Sequence, residues 1–148
     1  MSTRCQVQVI QEGLDWEQKV TLYHHWDGYP ESMVQLIANA FDSNLGWILG
    51  RAGKVASLLC AQDPGGYDLE SSNTLHGDIE YLYKLYCTNK TGGSSAENPG
   101  WELEILIPNW KKIRNFWENP IEKNMKVFKK RTNIFEMLKK NPEWRCNI

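Results

Sequence analysis

Val20-Thr21-Leu22-Tyr23-His24-His25-Trp26-Asp27-Gly28-Tyr29-Pro30 carries the chain from a strand into a helix and so sets the fold class. Val20, Leu22, His24 and Trp26 fall on one side of an extended backbone and Thr21, Tyr23, His25 and Asp27 on the other, the period-two pattern of a half-buried strand. Asp27-Gly28 breaks that strand. Pro30 has a fixed φ and no N–H to lose, which suits the first position of a helix, and Glu31 follows at the helix's positive end.

Upstream, Cys5, Val7 and Val9 alternate with Arg4, Gln6 and Gln8, and Glu12-Gly13-Leu14-Asp15 supplies the turn of a hairpin. Downstream, Met33, Leu36, Ile37, Ala40 and Phe41 repeat at helical spacing as far as Asp42-Ser43-Asn44, the expected end of a first helix. A second helix is expected across 46–61 from Ile48, Ala52, Val55 and Leu59, with Asp63-Pro64-Gly65-Gly66 as a firm break after it. Residues 78–88 return to period two, and beyond a glycine- and serine-rich loop at 91–100 the side chains Trp101, Leu103, Ile105 and Ile107 form the apolar side of another strand. The final forty or so residues read as helices, with Trp110, Ile113, Phe116 and Trp117 grouped before Asn119-Pro120, and Met125, Phe128, Ile134, Phe135 and Leu138 after it.

This order of elements predicts an α+β fold: a mainly antiparallel four-stranded sheet with two helices on one face, followed by basic C-terminal helices. The expected division is a core domain at 1–107 and a basic amphipathic helical extension at 108–148, packed on the core or on a partner. Charge follows the same division. Residues 1–107 hold 14 acidic and 6 basic side chains, a net −8, whereas residues 108–148 hold 4 and 11, a net +7. If the apolar strand sides meet the helices, then Thr21, Tyr23, Lys84, Glu102 and Glu104 share an acidic, aromatic opposite face with His25, Asp27, Asp78 and Glu80.

A chain of 148 residues can bury a core without a metal or disulfide to staple it. Its four cysteines, Cys5, Cys60, Cys87 and Cys146, form no C-x-x-C pair and read as reduced thiols. The start runs straight into a strand pattern with no apolar leader core, so a cytoplasmic, membrane-free setting is expected, and no cofactor is assigned.

The chemistry-bearing residues are the three histidines, each set beside acids. His25-x-Asp27 and His76-x-Asp78 each place an imidazole and a carboxylate on one side of an extended segment. Two such segments side by side would offer nitrogen and oxygen donors to zinc, manganese or iron, with Glu80 as base to a bound water. The structural alternative gives Asp27 and Asp78 to turns and the histidines to local hydrogen bonds, and it takes precedence, so no metal site is assigned. His24 alternates inward with Leu22 and reads as a core histidine. Gly50-Arg51-Ala52-Gly53-Lys54 falls short of a phosphate loop, since Ile48 stands where glycine is needed and Val55 where serine or threonine is needed. The tail interleaves Lys111, Lys112, Arg114, Lys129 and Lys130 with aromatic residues, which suits nucleic-acid phosphates, a partner's groove or a solvated face.

His25-Trp26-Asp27-Gly28-Tyr29-Pro30 taken with His76-Gly77-Asp78-Ile79-Glu80-Tyr81-Leu82-Tyr83 resembles a family of small uncharacterised proteins of bacteria and their phages, over residues 18–88. The resemblance implies a phage or mobile-element setting, in which compact proteins act by blocking a host component. The expected function is therefore a non-enzymatic binding protein, a phage-encoded inhibitor that blocks a host defence nuclease or signalling protein by protein–protein contact in the host cytoplasm. Its expected binding residues are His25, Trp26, Asp27, Tyr29, His76, Asp78, Glu80, Glu102, Glu104, Lys129 and Lys130. Two other readings stand beside it: a metal-dependent hydrolase or nucleotide-processing enzyme using the His/Asp cluster, and a nucleotide sponge in which Trp26, Tyr29 and Tyr81 stack on a base.

Overall fold

The strand begun at Cys5 lies at the centre of the sheet. In the computed structural model, which describes residues 3–12, 18–48, 52–70, 75–87, 101–109 and 124–144, β1 (Cys5–Gln11) pairs antiparallel with β2 (Gln18–His24) as the hairpin pattern requires. α1 (Pro30–Ile48) and α2 (Ala52–Gln62) follow, and then a short β3 (Tyr67–Leu69) adds to the outer edge of β2. β4 (Tyr81–Cys87) returns to the other side of β1 and runs parallel to it, and β5 (Trp101–Pro108) and β6 (Met125–Asn133) extend the sheet antiparallel. The spatial order is β3-β2-β1-β4-β5-β6, with α3 (Ile134–Lys140) and a 3-10 turn at Pro142–Trp144 after the last strand.

The α+β class holds, but the detail differs from expectation in three respects. The described sheet has six strands and is mixed, because the chain re-enters beside β1 in parallel after the helices. The first helix continues through Asp42-Ser43-Asn44 to Ile48. The expected helix through Met125 and Phe128 is strand β6, since the free edge of β5 offers a ladder of backbone partners that a local helical spacing does not reveal. The remaining tail residues singled out above, Trp110, Lys111, Lys112, Ile113, Arg114, Phe116 and Trp117, lie outside the described residues.

All three described helices share one core with one face of the sheet. Val7, Val9, Leu22, Leu85 and Leu103 from the strands meet Met33, Ile37, Val55 and Leu59 from α1 and α2 and Met137 from α3. Most of these side chains are fully buried, so truncating one to alanine costs about 2–5 kcal/mol. The opposite face is not the open acidic surface that alternation suggested. Thr21, Tyr23 and Lys84 are buried there, and Tyr23, Leu75, Ile79, Leu82 and Leu106 form a second, smaller apolar cluster. None of the described helices is long and apolar enough to cross a membrane.

The strand-to-helix passage is built on a close approach. Gly28 donates to the Thr3 carbonyl at 2.9 Å and its own carbonyl accepts from the Tyr83 hydroxyl at 2.6 Å. A Cβ at Gly28 would stand 2.9 Å from the Thr3 oxygen and 3.0 Å from Cys5 Cβ, so glycine is required. Asp27 before it has φ +52°, a left-handed conformation that aspartate tolerates better than most residues. The Tyr29 carbonyl then accepts from the N–H groups of Ser32 at 3.0 Å and Met33 at 2.9 Å, closing the first turn of α1.

Candidate functional site

The two expected histidine motifs come together, although not with the acids beside them in sequence. His25 and His76 both pack against the ring of Tyr23, at centroid distances of 4.8 and 4.7 Å. His25 Nε2 is 2.7 Å from Asp68 on β3, and His76 Nε2 is 2.6 Å from Glu70 just beyond it. β3 and the residue after it supply both partners: the register sets Asp68 against Tyr23, which brings Asp68 and Glu70 beside the histidines. Asp78 instead accepts from the Tyr23 hydroxyl at 2.7 Å, with Arg4 Nε at 3.7 Å, and Asp27 lies elsewhere, at the mouth of a cleft. Burial first, and then the hydrogen bond to Asp78, raise the Tyr23 phenol above its ordinary pKa. Among the described residues no three His, Cys, Asp or Glu side chains are grouped so as to hold a metal ion.

His24, read from the sequence as a core residue, has chemistry around it as well. It is wholly buried, its Nε2 lies 2.7 Å from Asp63 Oδ2, and its ring packs 4.4 Å from Tyr67. A carboxylate can only accept, so Nε2 carries a proton, and Nδ1 finds no partner among the described residues. The Asp63-Pro64-Gly65-Gly66 break places Asp63. Pro64 in the second position, Gly65 at φ +88° in the third, and a Gly66 N–H to Asp63 carbonyl bond of 2.9 Å match a type II β-turn. A Cβ at Gly66 would collide with the Asp63 carboxylate and lie 3.0 Å from His24 Nε2, so a side chain there would displace the carboxylate from the imidazole.

His24 and Asp63 line a cleft of about 220 Å³ between the end of β2 and the flank of α1. Trp26, Asp27 and Glu31 line it as well, and Gln35 and Asn39 continue down the helix one turn apart. The signal that sequence reading passed over was Asp63 itself, an acid beginning a Pro-Gly-Gly turn.

A third feature lies on β6. Between the pairs Ile105↔Lys129 and Leu106↔Val127, β6 advances two residues for one of β5, so Phe128 is the extra residue of a bulge. It is 43 % exposed and meets Tyr81 edge-on at 6.2 Å. Tyr81 has its phenol raised by burial first and then by Glu80, Glu31 and Tyr29, and Tyr29 is 38 % exposed. A second register shift leaves Lys130 and Arg131 opposite Glu104. Arg131 takes Glu12 in a two-pronged contact at 2.7 and 3.0 Å, donates to Glu102 at 2.8 Å, and stacks 3.9 Å over Tyr86. Glu104 accepts from the Tyr86 hydroxyl at 3.1 Å. Of the expected binding residues, Glu102 and Glu104 are therefore engaged within the molecule, while Trp26, Tyr29, Glu80 and Lys130 are exposed.

Compared with protein-family models, curated proteins and solved structures, the chain matches none.

Proposed function

We propose that this chain is a non-enzymatic binding protein that engages another protein through the surface of Tyr29, Tyr81 and Phe128. One observation carries the reading: a bulge in an edge strand turns a phenylalanine outward onto a partly exposed tyrosine. An exposed phenylalanine is otherwise a solubility cost, and aromatic side chains ringed by charge are what the centres of protein interfaces contain. Here the charge comprises Glu31 and Glu80 close to Tyr81 and the Lys129 ammonium 5.4 Å over the Phe128 ring. A fitting partner offers an apolar patch bordered by groups of both signs. The specific role of a phage-encoded inhibitor of a host defence protein rests on the resemblance of the two histidine motifs alone.

Metal-dependent hydrolysis draws less support, because His25 and His76 are each already held by a separate carboxylate. Native mass spectrometry of the chain isolated from its host lysate tests the proposal. It is expected to show a stoichiometric protein partner. A stoichiometric metal ion or a nucleotide released on denaturation, with no protein partner, would favour the enzyme or the sponge.

A further inference from the structure

At one edge of the described sheet, β6 exposes three consecutive side chains, Lys126, Val127 and Phe128, and Lys130 is exposed just beyond them. Lys126 and Lys130 stand two residues either side of Phe128, so two exposed lysines bracket a 43 % exposed phenylalanine along the strand. Other bases of the molecule are spent internally: Arg4 lies 3.7 Å from Asp78, and Arg131 holds Glu12 and Glu102 at 2.7 and 2.8 Å. Among the described residues neither Lys126 nor Lys130 meets a carboxylate, although residues 1–107 carry 14 acids against 6 bases. Positive charge left unpaired beside an exposed ring is complementary to a ligand that brings the carboxylates with it.

Charge and geometry separate the possible occupants. A second copy adding its own β6 would set lysines against lysines, the arrangement by which edge strands resist self-pairing. The two register shifts of β6 also interrupt the ladder that an added strand would follow, so recognition here runs through side chains. A single-stranded nucleic acid could stack on Phe128, but it brings a phosphate at every nucleotide, and Glu31 and Glu80 stand close to Tyr81, which Phe128 meets edge-on. A peptide can confine its carboxylates to the lysine positions.

We infer that β6 is the docking site of an acidic protein segment, which sets an apolar side chain on Phe128 and carboxylates on Lys126 and Lys130. Phe128 belongs to the protein-binding surface proposed above, so the docking rests on that reading and adds the partner's charge to it. The apolar contact excludes water beside both ion pairs, which strengthens them over pairs left in solvent.

The test is an NMR titration of the full chain with the capped peptide Asp-Ser-Leu-Ser-Asp, its counterparts with asparagine or lysine in place of aspartate, and oligothymidylate. The acidic peptide is expected to shift the amide signals of residues 126–130 saturably, about fivefold or more tighter than the asparagine peptide or oligothymidylate, with no saturation by the lysine peptide. Added salt is expected to weaken binding by the wild-type chain, a reading that needs no variant. Lys126→Glu with Lys130→Glu is expected to cost about tenfold or more in affinity at an unchanged thermal midpoint, and Phe128→Ser to weaken binding as well. No saturable shift with the acidic peptide, equal or tighter binding of the asparagine peptide or oligothymidylate, insensitivity to salt, or full affinity in the folded lysine double variant would each overturn the acidic docking and leave Phe128 as an interface residue. Full affinity in Phe128→Ser would instead overturn the aromatic surface, and the docking with it.

Discussion

His24 Nε2 lies 2.7 Å from Asp63 Oδ2 across 39 positions of sequence, with the imidazole fully buried. The contact joins the end of β2 to the turn after α2, and so ties the sheet to the helical layer beside the cleft. Buried imidazole without a partner is costly, and Asp63→Ala is expected to lower stability by about 1–3 kcal/mol in urea unfolding. Gly66→Ala should lose a comparable amount by driving the carboxylate away while leaving both partners in place. An unchanged urea midpoint in both variants would mean that the contact contributes nothing.

The Gly28 approach makes a second prediction. Tyr83→Phe removes only the hydroxyl that donates to the Gly28 carbonyl, at an expected cost of about 1 kcal/mol. Gly28→Ala must also displace the Thr3 carbonyl and should cost more. Thermal unfolding of the pair checks the order, and a less harmful Gly28→Ala would contradict it.

How much of this was legible in the sequence differs from place to place. Alternation put His24 inward and Pro30 at the start of a helix, because both are local consequences of side-chain period and proline geometry. The partners of the histidines were not legible. Asp68 reaches His25 through the pairing of β3 with β2, a contact between segments more than forty residues apart that no local pattern encodes, whereas Glu70 stands only six residues before His76. β6 is illegible for a related reason. Met125 and Phe128 stand three apart as on a helix, but two bulges break the strand's alternation and hide its period. The turn that delivers Asp63 reads locally only as a break, which hides the partner of His24.

Arg131 should be a stability determinant, since it links β6 to Glu12 beyond β1 and to Glu102 on β5. Arg131→Ala is expected to cost about 2 kcal/mol, the scale of hydrogen bonds to charged groups. Arg131→Lys should recover only part of this, because lysine keeps the charge but loses the two-pronged geometry and the stacking on Tyr86. Urea midpoints for the two variants decide the point, and a lysine variant equal to wild type would show that charge alone is used.

Alkaline pH should unfold the protein. Tyr86 is pushed up to about 12 from an ordinary 10.0, by burial first and then by Glu104, and the phenols of Tyr23, Tyr67 and Tyr83 are raised as well. A pKa higher in the folded state contributes stability that is fully present below pH 10 and is lost as pH rises toward 12. Urea midpoints are therefore expected to hold to about pH 10 and fall above it, less steeply in Tyr86→Phe. A flat profile through pH 11 would refute this.

The most direct measurement is the affinity of the captured protein partner for surface variants that leave the fold intact. Tyr29→Ser and Phe128→Ser are each expected to weaken binding by tenfold or more with unchanged thermal midpoints, as central aromatic contacts do, while Arg131→Lys is expected to leave affinity near wild type. Full affinity in both aromatic variants would contradict the proposed interface.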